Sequence, residues 1–205
     1  MLLLSHSILA QPLSELEFSD QNLGNCVLDT ARKNNWLNVA EITELSCHNA
    51  DIQSADEVAQ FTSLKTLSLF NNNISQLDLR PLKQLEFLNL ANNALESLHI
   101  SGLSRLETLY LFRNKLQTVD LSGLSSVKKI RLMQNGLKKL DITALTSLEA
   151  GYLFDNDLED LQITGLNSLQ FLDVKHNPMP DELYDFYDEQ EGIIINHDGN
   201  SDDWK

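Results

Sequence analysis

From Leu64 onward, apolar and polar residues alternate in a pattern that neither a helix nor a lone strand produces. Set in lines of 21, the chain reads LKTLSLFNNNISQLDL, LEFLNLANNALESLHI, LETLYLFRNKLQTVDL, VKKIRLMQNGLKKLDI, LEAGYLFDNDLEDLQI and LQFLDVKHNPMP, and the lines begin at Leu64, Leu85, Leu106, Val127, Leu148 and Leu169. A helix would space its apolar positions by about 3.6 residues, and a lone strand would alternate only briefly. Each line instead opens with a short alternating run such as TLYLF, whose leucines face one side while the residues between them face the other. An Asn follows at a fixed place, at Asn72, Asn93, Asn114, Asn135, Asn156 and Asn177. The pattern predicts a strand and then a turn in every line.

The second half of each line repeats too, as LDLRPL, LHISGL, VDLSGL, LDITAL and LQITGL. About ten residues are too few for a long helix and a turn, so this half predicts a short extended segment on the opposite side. The motif L-x-x-L-x-L-x-x-N-x-L at this period is the leucine-rich-repeat signature. The expected fold is a leucine-rich-repeat solenoid with parallel β-strands on the concave face, short extended segments on the convex face and a helical N-terminal cap. Six units stacked at ~4.8 Å give an array of roughly 25–30 Å. The short Asn amide suits the turn because it can bond to nearby backbone, and six of them in register predict a buried ladder. Gly151 stands where the pattern expects Leu, which predicts a cavity or a local backbone adjustment.

A repeat unit cannot bury its own apolar face, so both ends need caps. The repeats are assigned to residues 42–179, because ITELSCHNADIQSA puts Ile42, Leu45, Cys47 and Ile52 on the core side. Ala50 takes the Asn position there, and the step to the next unit is 22. Upstream, Leu23, Val27 and Ala31 have helical spacing behind a capping Ser19 or Asp20. The two cysteines, Cys26 and Cys47, lack the further ligands of a zinc site and are either two buried thiols or one bridge. A helix lying over the open end of the array would bring both sulfurs together, so the expectation is a capping disulfide. Residues 180–205 form an acidic C-terminal cap and tail: DELYDFYDEQ predicts an amphipathic helix carrying Leu183, Tyr184, Phe186 and Tyr187, and IIIN a last strand or core-filling segment. The final DGNSDDWK is expected to fray, and its acids lack calcium-loop spacing.

Charge narrows the partners. Thirty Asp and Glu against 15 Lys and Arg give a formal charge of -15, which disfavours nucleic acid and anionic membranes. Residues 1–10 read as the end of a secretory signal with cleavage near Ala10, the alternative being a loose apolar terminus on a cytosolic protein. No segment predicts a transmembrane helix.

The stretch FSDQNLGNCVLDTARKNNWLNVAEITELSC, residues 18–47, together with the LxxLDLSGL-type units, resembles bacterial leucine-rich-repeat proteins of the secreted, internalin-like kind. The features that carry the resemblance are the Phe-x-Asp opening, Cys26 in the helix, Trp36 after it and Cys47 in the first strand. It implies an array that binds other macromolecules without catalytic residues of its own, placed outside the cell or in its envelope. The repeat motif is specific for fold and weak for function, since members of the wider family serve unrelated partners.

The outward strand positions form columns on the concave face. One holds Ser68, Asn89, Tyr110, Arg131, Tyr152 and Asp173; the next holds Phe70, Ala91, Phe112, Met133, Phe154 and Lys175. Phe87, Lys129 and Phe171 belong to the column before. Many of these are large although the core does not require them. Aromatics here either favour β structure and pack on one another or mark an interaction surface. Tyr, Arg and Met together suit the second reading. The candidate partner-binding residues are Phe70, Phe87, Tyr110, Phe112, Arg113, Lys129, Arg131, Met133, Tyr152, Phe154 and Asp173. Lys128, Lys129, Arg131, Lys138 and Lys139 cluster in the fourth line near Arg113 and Lys115, ahead of Asp155, Asp157, Glu159 and Asp160 in the fifth. That island is either ordinary surface balance or a device for orienting an acidic partner.

A protein partner is expected on a broad, shallow face. Carbohydrate recognition in the envelope and a cytoplasmic scaffold or inhibitor are the alternatives. His6, His48, His99, His176 and His197 are scattered, Tyr152, Asp173 and His176 form no nucleophile–base set, and no phosphate loop or paired metal motif occurs. No enzyme activity, cofactor or metal is expected, and the chain is expected to be a monomer.

Overall fold

In a computed structural model of the chain, residues 11–199 are described; the expected signal remnant at 1–10 and the last residues of the tail lie outside them. The main sheet is parallel and eight-stranded, built from β1 (Glu44–Ser46), β2 (Thr66–Ser68), β4 (Phe87–Asn89), β6 (Thr108–Tyr110), β7 (Lys129–Arg131), β8 (Ala150–Tyr152), β9 (Phe171–Asp173) and β10 (Ile194–Asn196) in that order. The register puts Leu45, Leu67, Leu88, Leu109, Ile130, Gly151, Leu172 and Ile195 side by side. Their inward column, with Leu69, Leu90, Leu111, Leu132 and Leu153, builds one continuous buried core. On the far side β3 (Gln76–Asp78) and β5 (Ser97–His99) pair in a second parallel sheet. The later coils turn Leu140 and Leu161 inward at the same place without forming strands.

The strands are short because the chain must leave the sheet at a fixed point. The residue just ahead of each turn position adopts the left-handed region: Asn49, Asn71, Asn92, Arg113, Gln134, Asp155 and His176 all have φ between 53° and 59°. The ladder Asn comes next. Asn114 Nδ2 donates to the carbonyls of Leu111 at 2.9 Å and Leu90 at 3.0 Å, while its Oδ1 accepts from Leu95 N at 3.0 Å. Asn93, Asn135, Asn156 and Asn177 repeat the arrangement. One side chain thus closes its own turn and bonds two groups of the preceding coil. Asn72 faces the longer first coil and reaches the Cys47 carbonyl at 2.8 Å instead.

The position of Gly151 holds no cavity. A Cβ there would lie 2.9 Å from Leu172 Cδ1, with Ile130 at 3.7 Å, so neighbouring side chains occupy the space of the missing leucine. On the convex turn, Gly123 (φ 75°) comes so close to its neighbour that a Cβ would sit 2.9 Å from Gly102 Cα.

The N-terminal end is closed by helix α1 (Gln21–Asn34), which buries Leu23, Val27 and Ala31. Asp20 caps it, accepting from Asn22 N and Leu23 N, and its second oxygen takes Gln53 N and Ser54 N of the first coil. Partial burial opposes ionisation of Asp20, but the four backbone donors outweigh it and hold the carboxyl below its ordinary value. The Cys26–Cys47 disulfide, with Cα atoms 5.9 Å apart, ties the helix to the end of the first strand. At the other end, helix α2 (Asp181–Asp188) buries Tyr184 and Tyr187. Their hydroxyls donate to the carbonyls of Asn177 at 3.0 Å and Leu161 at 2.8 Å, and β10 then adds the last parallel strand.

Two stability outcomes follow from these contacts. The disulfide closes a sequence separation of 21, and a Cys26→Ser, Cys47→Ser variant should lose about 3 kcal/mol of unfolding free energy. Denaturant titration measures that loss, and intact mass with and without reductant measures the bond; two free thiols in protein from its native compartment would contradict it. Asn114→Ala should cost ~1–3 kcal/mol through unpaired turn groups, whereas Arg113→Ala should stay within about 0.5 kcal/mol. Equal midpoints for the two variants would mean that the ladder amide contributes little.

Candidate functional site

The register that aligns the core leucines also aligns the outward residues. Asn89, Tyr110, Arg131, Tyr152 and Asp173 stand in successive strands at matched positions. The Arg131 guanidinium lies between two rings, its Cζ 5.0 Å from the Tyr110 centroid and 5.2 Å from that of Tyr152. Phe87 meets Tyr110 edge-on at 5.7 Å, Phe171 meets Tyr152 at 5.1 Å, and Lys129 Nζ lies 5.7 Å from the Tyr152 ring. The result is a belt across the sheet, Phe87–Tyr110–Arg131–Tyr152–Phe171, with every member half-buried. Each cation–π contact of this kind contributes about 0.5–1 kcal/mol at a partly exposed site.

Phe112, Met133 and Phe154 form the adjoining column and are likewise half-buried. The two columns are not wholly outward, however. Ala91, between Phe70 and Phe112, is fully buried, and Ser68 is 4% exposed with its hydroxyl 2.7 Å from His48 Nε2. Small side chains there are covered, so Phe70 stands apart from the central belt and packs edge-on against His48 at 6.0 Å. Asp173 continues the row beyond Tyr152 and accepts from Lys175 N at 3.3 Å.

The basic island does not survive as one cluster. Lys128 pairs with Glu107 at 2.9 Å beside the sheet. Lys138 and Lys139 line a convex groove together with Glu159 and Asp160. Arg113 Nε donates to Gln134 Oε1 at 2.7 Å. Lys129 and Arg131 alone of the group stand on the concave strands, and no ion pair among the described residues engages either one.

A second ladder runs along the rim through the left-handed residues. Asn71 donates to Asn49 and Asn92 to Asn71; further on, Arg113 donates to Gln134, and Gln134 to Asp155. His176 ends it, with Nδ1 2.7 Å from Asp155 Oδ1 and its backbone N–H donating to Asp198 at 2.6 Å. His176 therefore joins Asp155 and Asp198 rather than Tyr152 and Asp173. In the sequence only a position marks this rim, the residue before each ladder Asn. Among the described residues no cluster of His, Cys, Asp and Glu is arranged to hold a metal, and no helix is long and apolar enough to cross a membrane.

Six coils in strict register, an eight-stranded parallel sheet and a shared asparagine ladder make this chain a leucine-rich-repeat solenoid with a disulfide-closed N-terminal cap. The Leucine Rich Repeat family profile matches residues 63–85 and 84–106. Among solved structures the chain is similar to internalin C2 of Listeria monocytogenes, at 22% identity and a TM-score of 0.58 over 91% of this chain and 96% of that one. It is similar to YopM, a leucine-rich effector protein of Yersinia pestis, at 30% identity and a TM-score of 0.53 over 68% of this chain. A third match is the functional domain of InlJ from Listeria monocytogenes, at 19% identity and a TM-score of 0.49 over 83% of this chain. The chain spans about half of that InlJ domain (53%) and 39% of YopM. The likeness to internalin C2 is one of fold. No curated protein sequence matches the chain.

The rim yields a pH dependence. The bond to Asp155 and the charge of Asp198 raise the His176 imidazole above its ordinary 6.5. A raised folded value means that the attraction is complete below the unfolded imidazole's value and fades as pH climbs through the folded one. His176→Asn keeps a side chain that tolerates left-handed backbone. It should therefore lower the unfolding midpoint more at about pH 5.5 than at about pH 8.5. A midpoint difference that ignores pH would rule out the ion pair as its cause.

Proposed function

We propose that this chain is a binding module that takes a protein partner on its concave face and works outside the cytoplasm. The observation that carries the reading is the belt: five large side chains, half-buried and in mutual contact, on the side of the sheet that the core does not need. Rings already packed against one another and against a guanidinium have little side-chain freedom left to lose on binding. Tyr and Arg at the middle of a broad surface are the chemistry of interface hot spots. Phe112, Met133 and Phe154 extend the apolar area beside them, while Phe70, Phe87, Lys129 and Asp173 supply its margins. The resemblance to internalin-like proteins carries the same expectation of macromolecular binding. The disulfide supports an oxidising compartment, the cell exterior or its envelope.

A Tyr110→Ala, Phe112→Ala double variant tests the proposal, because both residues lie near the centre of the array. Pull-down from envelope and cytosolic extracts with the wild-type chain, then titration of the captured protein, should give a loss above ~2 kcal/mol, about thirtyfold in affinity. Circular dichroism and elution volume should stay unchanged. Equal affinity in the folded variant would move the site off the concave face, and binding to purified glycans but to no protein would replace the protein reading with a carbohydrate one.

A further inference from the structure

We infer that Arg131 is the receptor for a carboxylate, supplied by an Asp or Glu side chain that the protein partner presents between apolar residues. The inference rests on the concave binding reading and names the group at its centre.

The chain carries 30 acidic residues and a formal charge of -15, yet among the described residues no acid forms an ion pair with Arg131. Its neighbours across the sheet are Tyr110 and Tyr152, and those along its own strand are Lys129 and Met133. The four diagonal positions hold one Thr, one Ala and two Phe. All eight surrounding positions are therefore neutral or cationic. Where acids do stand beside a cation, pairs form, as Lys128 does with Glu107, Lys65 with Glu86 and Arg80 with Asp78. At Arg131 the Nε atom is buried and, among the described residues, has no acceptor, and no ion pair engages the guanidinium.

The two tyrosine rings satisfy the faces of the guanidinium but not its N–H edges. An Arg held that way is pre-organised, and its fork matches the two oxygens of one carboxylate. Lys129 in the same strand adds a second positive charge. Two cations within a strongly acidic chain favour an isolated carboxylate over a polyanion, which the overall field repels. Met133 and the flanking phenylalanines call for apolar side chains on either side of the acid, and that combination is one a polypeptide supplies.

A phage-displayed library of random dodecapeptides, selected on the immobilised full chain and followed by titration of synthetic peptides, tests the assignment. Enriched peptides should carry Asp or Glu beside apolar residues and should lose affinity in the Tyr110→Ala, Phe112→Ala variant. Arg131→Gln should weaken them by about tenfold or more, and Arg131→Lys should restore only part of that. Exchanging the peptide's acid for its amide should cost as much against the wild-type chain and almost nothing against Arg131→Gln, the signature of direct coupling. Circular dichroism of both Arg131 variants establishes that they are folded. Peptides that need Tyr110 and Phe112 but carry no acid and ignore Arg131→Gln would overturn the inference while leaving the binding reading intact. Peptides indifferent to every concave substitution would overturn both. Arg131-dependent binding of sulfated glycans without acidic peptides would overturn the assignment of the carboxylate to a protein.

Discussion

Every turn of the solenoid leaves carbonyls and an amide pointing into an apolar interior, and one asparagine side chain answers them for two coils at once. Asn156 donates to Leu153 O of its own coil and Leu132 O of the coil before, and accepts from Leu137 N. A buried polar group left without a partner costs about 1–3 kcal/mol, so each amide holds two coils at a fixed offset. That offset is the 21-residue period. Where the first coil runs one residue longer, Asn72 still spans the step by accepting from both Ala50 N and Ile52 N. The constraint therefore tolerates an irregular coil at an end, provided that the turn groups are still met.

Once the offset is fixed, the outward columns follow without further specification. Tyr110, Arg131 and Tyr152 are 21 residues apart in sequence and stacked in space, because Leu109, Ile130 and Gly151 beside them must share one core column. The ladder that buries the core thus also aims the belt. The ends face the opposite problem, since a stack has no neighbour there to bond. Both are closed by side chains that reach backbone: Asp20 binds four N–H groups at one end, while Tyr184 and Tyr187 each bind a carbonyl at the other. Burial drives the Tyr187 phenol well above its ordinary pKa, and its hydroxyl stays a donor.

Most of the fold was legible because repetition multiplies a weak local signal. The strand, the Asn turn, the helix ahead of the array and the one after it all left periodic or capping marks in the sequence. Three features could not be read from the marks they left. The rim ladder joins Arg113, Gln134, Asp155 and His176, residues of different types that share only a left-handed backbone and a neighbour one coil away. The basic island looked continuous because Arg131 and Lys138 are close in sequence, but the turn between them carries one to the concave face and the other to the convex groove. The gap at Gly151 was filled from the next coil by Leu172, a compensation that no single line of the repeat can reveal. In each case the missing information lay between coils rather than within one.

The rim also shapes the edge of the concave face. A residue with a Cβ in left-handed backbone costs roughly 1–2 kcal/mol relative to glycine, yet none of the six regular coils places glycine there. Asn71 and Asn92 adopt this backbone comparatively easily, and they link to each other. The remaining coils carry longer or charged side chains that recover part of the cost by bonding across the rim. Those bonds run directly beside the column of Phe112, Met133 and Phe154, and they fence one edge of the belt with polar groups that already have partners. Polar groups of that kind, already bonded to one another, keep water at the border of an apolar patch. Beyond that fence stand Lys129 and Arg131, the two strand cations that no ion pair among the described residues engages.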